Sequence, residues 1–115
     1  MLIIVASNGS KGLKDTVSEV FARCPVFTIV KLEKDKIKEV KIEKNTMAKL
    51  DYGVGPIVSQ KLIDAGANVV IAAQFGPTVQ EIFKKANVET FIVPSGTIIE
   101  DAIKQYINSR KILEK

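Results

Sequence analysis

The sequence has no histidine, no tryptophan and a single cysteine, Cys24. One thiol excludes an internal disulfide, and without histidine there is no Cys/His set able to hold a structural zinc. Any metal centre would have to be held sparsely or shared with another molecule. The usual base of acyl transfer is absent with histidine, and no Gly-x-Ser-x-Gly element offers a nucleophile. The opening apolar stretch, Leu2 to Ala6, carries no carboxylate, whereas a nuclease that converges acids on divalent metals needs one there. The polar loop that follows, Ser7-Asn8-Gly9-Ser10-Lys11-Gly12, has the composition of an anion-binding turn. It is not a Walker A loop, because Lys11 sits between the glycines and Leu13 follows the second. No run is long enough to span a bilayer, and Leu2 to Ala6 is too short for a signal-peptide core and lacks a basic segment before it. The expectation is a cytoplasmic protein without membrane contact that is not an enzyme.

What is present suits one domain over residues 1–115 with no linker: 46% of the residues are hydrophobic and 26% charged, enough to bury one core. Between Lys31 and Lys49 seven lysines face Glu33, Asp35, Glu39 and Glu43. Alternating signs on strands read as a solvated face, and no aromatics interleave them to stack on bases, which argues against nucleic-acid binding.

The chain is organised around Gly53 to Pro77. Gly53 and Gly55 permit unusual backbone shapes, Pro56 suits the first helical position, and Gly66 suits the left-handed position that closes a helix. The apolar run Val69 to Ala73 then reads as a central parallel strand, buried on both faces. The design repeats: Gly76-Pro77 opens a second helix that Ala86-Asn87 closes, with Val79, Ile82, Phe83 and Ala86 on its buried face, before a strand from Val88 to Val93. Thr97-x-x-Glu100 reads as a capping box for a third helix with the stripe Ile99, Ala102, Ile103, Tyr106 and Ile107. Residues 109–115 are expected to fray.

Upstream, Leu2 to Ala6 reads as a strand, and Leu13, Val17, Val20 and Phe21 at helical spacing predict a helix from Leu13 to Ala22, stopped by Pro25. Val26 to Val30 and the run through Ile37, Val40 and Ile42 predict a hairpin turning at Glu33 to Lys36. Three antiparallel strands followed by parallel βα units give an α/β fold: a mixed five-stranded sheet with helices on both faces, the arrangement of a ribonuclease H-like fold.

Phe21-Ala22-Arg23-Cys24-Pro25-Val26-Phe27, Gly53-Val54-Gly55, Val69-Val70-Ile71 and Phe75-Gly76-Pro77, in this order and at these separations, resemble the dinitrogenase iron-molybdenum cofactor family. The resemblance covers nearly the whole chain. It implies a ribonuclease H-like fold and a small domain that carries or inserts metal-sulfur clusters. Members commonly show His-Phe-Gly where this chain has Val20-Phe21-Ala22, Asn-Ala where it has Thr78-Val79, and glycine at the position of Tyr52.

The implied cofactor-binding residues are Asn8, Phe21, Arg23, Cys24, Gly53, Val54, Gly55, Phe75, Gly76 and Pro77, with Cys24 as metal ligand. A thiolate is the proper soft ligand for an iron-sulfur species, and the charge of Arg23 would lower its pKa. The other reading of a lone cysteine is a small buried hydrophobe. The glycines could bring amides and positive helix ends to an anion, or could simply make tight turns. The expected function is a non-catalytic carrier of an iron-sulfur-type cluster that is not required for folding, working with a cluster donor or acceptor protein. The alternatives are an anion- or nucleotide-binding regulatory module without metal, and a protein-interaction domain.

Overall fold

A computed structural model describes residues 1–113 as a five-stranded mixed sheet with three α-helices. The strands are β1 (Leu2–Ser7), β2 (Val26–Glu33), β3 (Lys36–Lys44), β4 (Val69–Ala72) and β5 (Glu89–Ile92), in the spatial order β3-β2-β1-β4-β5. β1, β2 and β3 form the expected antiparallel meander, and β4 and β5 add parallel to β1. The hairpin turns on Lys34 and Asp35, both at positive φ (51° and 65°), a pairing that matches the twist of the strands it joins.

The helices α1 (Val54–Asp64), α2 (Pro77–Lys85) and α3 (Ile99–Leu113) divide between the two faces because strand side chains alternate. Ile4, Ala6, Val70 and Ala72 face α1 and α2 through Val58, Leu62, Val79 and Phe83. Ile3, Val5, Val69 and Ile71 face α3 through Ile99, Ala102, Ile103 and Tyr106. The strand after Gly66, β4, is therefore interior, paired on both sides and covered by helices on both faces as its unbroken apolar run predicts, while β1 is the central strand. Gly66 (φ 93°) and Asn87 (φ 59°) take the left-handed conformation that ends α1 and α2.

Three local expectations are corrected. In place of a helix from Leu13 to Ala22 there is one 3-10 turn, Gly12–Lys14, and then extended chain: Thr16 bridges to Ile98 and Val17 to Ser7. The Asp15 carboxylate takes the amides of Lys11 (3.0 Å) and Thr16 (2.8 Å), so the backbone donors go to a side chain instead of a helix. Val17 and Phe21 sit four residues apart because the segment crosses the sheet edge, feeding one to the α3 core and the other to the α1/α2 core. The capping box at Thr97 is also absent: its hydroxyl donates back to Pro94 O (2.6 Å), and Glu100 reaches Lys14 instead. Finally, helical structure runs past 109. α3 continues to Leu113, with Ile107 packed on the core and Arg110 Nη1 3.3 Å from Met1 Sδ; residues 114 and 115 lie outside the described residues.

Candidate functional site

Because α1 leads into β4 and α2 leaves it, both helices point their N-termini to the edge where β1 and β4 end. Their first turns touch: a β-carbon on Gly55 would lie 3.1 Å from Val79 Cγ2. The N–H groups of a helix's first turn have no intrahelical partner, and no side chain caps either helix. Neither first turn contains an acid. Gly53, at φ 67°, is the left-handed residue before α1; Pro77 takes the first position of α2 and contributes no donor. The free donors are the amides of Val54 and Gly55 on α1 and of Thr78 and Val79 on α2.

Beside these turns an open groove of about 460 Å³ is lined by Val20, Phe21, Ala22, Gln74, Phe75, Gly76, Pro77 and Val79. Its floor is aromatic. Phe21 contacts Phe27, Phe75 and Phe83, with ring centroids 6.0, 5.3 and 5.7 Å away, and Phe21 and Phe75 are buried from solvent. Gln74 Nε2 donates to Glu19 O at 3.2 Å, tying the two walls together. Phe21, Phe75, Gly76 and Pro77 thus meet in the groove, and Val54 and Gly55 stand on the turn that packs against its Val79 wall.

The other sequence-predicted residues are placed differently. Asn8 Nδ2 is taken by Thr16 Oγ1 (2.9 Å) and Val17 O (3.3 Å), so Asn8 fastens the loop after β1. Arg23 Nη1 donates to Ala48 O at 2.9 Å and binds the segment before α1 to the segment before β2. Cys24 lies next to the start of β2, which pairs with the end of β1, and so is on the expected edge of the sheet. It is nevertheless fully buried, with Sγ donating to Val26 O at 3.4 Å. Burial pushes its thiol up to about 11, against the lowering expected from Arg23. The expectation of an accessible, thiolate-prone cysteine is corrected: at neutral pH this is a protonated core thiol.

Asn45 is the residue that sequence reasoning missed. It is buried, and its Nδ2 donates to both Ala22 O and Cys24 O at 2.8 Å, fixing the segment that carries Phe21 into the groove. A buried amide can stay only if satisfied, but the sequence shows merely an asparagine after a strand, with no sign of its distant partners.

Among the described residues no three His, Cys, Asp or Glu side chains come together to hold a metal. The donor set therefore does not fit direct coordination of a metal or cluster within one chain. It fits an anion that keeps its own ligands and is held by amides, helix ends and an apolar wall.

The profile of the dinitrogenase iron-molybdenum cofactor family matches residues 1–109. An uncharacterized protein of Methanocaldococcus jannaschii is 30% identical over 99 residues, covering 86% of this chain and 81% of the relative. A NifB-like protein of Thermotoga has a similar structure, with TM-score 0.75 and 31% identity over 95% of this chain and 89% of that one. The apo form of the orange protein from Desulfovibrio gigas shares the fold, with TM-score 0.84 and 22% identity over 95% of this chain and 88% of that one.

Proposed function

This chain belongs to the dinitrogenase iron-molybdenum cofactor family, and from that premise we propose that it is a non-catalytic carrier for an anionic, iron-sulfur-type metallocluster or its precursor. The strand order β3-β2-β1-β4-β5, with helices on both faces, supports reading the chain as one ribonuclease H-like domain. The observation that carries the functional reading is the pair of touching, uncapped helix starts beside an apolar groove. The cargo keeps its inorganic sulfide; the amides of Val54, Gly55, Thr78 and Val79 donate to it, and Phe21 and Phe75 keep water from one side.

Magnitudes set the expected affinity. A favourable helix end contributes about 0.3–1 kcal/mol, up to ~2 where partly buried, so two ends supply at most about 4 kcal/mol. That alone corresponds to a Kd near ~1 mM, and apolar contact in the groove must add the rest. Such weak holding suits a carrier that passes its cargo between a cytoplasmic donor and an acceptor protein, and it does not suit a permanent prosthetic group. Cys24 takes no part in this reading.

Anaerobic reconstitution with iron and sulfide tests it: visible absorbance that co-migrates with the protein supports the carrier. Binding of phosphate or sulfate at the same amides, without any cluster uptake, would instead favour a metal-free anion-binding module.

A further inference from the structure

β3 forms one border of the sheet, so its outer edge has no strand partner. It is nine residues long, all of them exposed, whereas the opposite border, β5, has four. Long free edges invite another strand, and proteins usually blunt them with lysines and bulges. Here lysines run along the whole strand, at 36, 38, 41 and 44, but the bulge is confined to one end. The register shifts at Lys31/Leu32, leaving Lys38 as the extra residue, and from Glu39 to Lys44 the ladder is regular. The α3 side of that stretch carries Val40 and Ile42, with Ile42 41% exposed beside the Gly12 turn. The other side carries Glu39, Lys41 and Glu43, of which Lys41 lies 3.7 Å from Glu39 and Glu43 lies 3.4 Å from Lys61.

We propose that β3 is a self-association edge: two copies pair their β3 strands antiparallel about a two-fold axis at Ile42, making one sheet continuous across both chains. Charge selects that register. Centred on Ile42, each Lys41 stands opposite the partner's Glu43, Ile42 meets the partner's Ile42, and Lys44 extends over the partner's Val40. Centring on Lys41 would oppose lysine to lysine and Glu39 to the partner's Glu43. Centring on Val40 would draw the bulged Lys38 into the ladder, and centring on Glu43 would oppose two glutamates. The Ile42 register pairs residues 40–44 of the regular stretch and leaves Glu39 opposite the loop residue after β3. A two-fold pairing consumes both β3 edges and leaves only the short β5 borders, so the assembly closes as a dimer. This interface is independent of the cargo site.

Sedimentation velocity on the full chain tests it, comparing native protein with Lys41→Glu and the double variant Lys41→Glu/Glu43→Lys. All these side chains are exposed, and circular dichroism checks that the fold is kept. The expected result is a concentration-dependent species of twice 12.6 kDa for the native chain. That species should be lost in Lys41→Glu, which opposes two carboxylates, and regained in the double variant, which reverses the pair. Ile42→Lys, on the axis, should also abolish it. A native chain that stays monomeric, a Lys41→Glu variant that still dimerises, or a double variant that stays monomeric overturns the proposal.

Discussion

Gly55 and Val79 set how closely the first turns of α1 and α2 approach: a β-carbon at 55 would come within 3.1 Å of Val79 Cγ2, a contact that a single methyl group can just enter. Gly55→Ala gains about 0.5–1 kcal/mol of backbone entropy and loses a comparable amount in crowding, so its unfolding midpoint in urea should stay near the native value. Gly55→Leu must push the helices apart and should cost about 1–3 kcal/mol. Equal stability of the leucine variant would show that the helix starts do not depend on this contact.

Cys24 should behave as a core thiol. In the folded protein it should resist alkylation at pH 8 and react only once the chain is denatured. Its pKa is raised by burial from 9.0 to about 11, so the folded state favours the protonated form. Its contribution to stability is complete below pH 9 and is lost as pH rises through about 11. Cys24→Ala should remove that alkaline loss while lowering stability at neutral pH by about 1 kcal/mol, the cost of a small cavity. An identical alkaline profile for both proteins would contradict the assignment.

Asp15 acts at the other end of the pH scale. Burial pushes its carboxyl up, but hydrogen bonds from the Lys11 and Thr16 amides and the charge of Lys11 outweigh that and hold it below 3.8. A depressed carboxyl stabilises the fold above its unfolded pKa, and the contribution disappears as pH falls through the folded value. Asp15→Ala should cost about 1–3 kcal/mol at neutral pH by leaving those amides unpaired. Its deficit relative to the native chain should shrink in acid below pH 3.8. A deficit that does not change with pH would point to packing alone.

Val70 is fully buried in the interior strand β4, facing the α1/α2 core. Val70→Asp places a charge there with no partner and should cost more than about 4 kcal/mol. A near-native melting curve would be incompatible with an interior β4 covered on both faces.

The stretch from Gly53 to Ile92 was legible because its signals are local. Gly66 and Asn87 end helices by their own backbone preference, and Val69 to Ala72 is apolar at every position because both faces are covered. The segment from Leu13 to Ala22 was not, since its apolar spacing matches a helix by coincidence of two cores, and its backbone is organised by Asp15 and by the distant Thr97 loop. The site divided along the same line. The glycine turns at 53, 55 and 76 and Phe75 lie where the order of strands and helices puts them, whereas Phe21 reaches the groove from the segment expected to be a helix. The burial of Cys24 and the clamp of Asn45 are long-range consequences of packing that no short motif encodes.

In the proposed carrier the cargo is held by the starts of α1 and α2 and not by Cys24. The direct measurement is a titration of 15N-labelled protein with a soluble anionic iron-sulfide cluster under argon, following backbone amides in the native chain and in Cys24→Ala. The amides of Val54, Gly55, Thr78 and Val79 should shift together, with the same weak affinity in both proteins. Absence of any shift at these amides, or binding that disappears with the thiol, would contradict it.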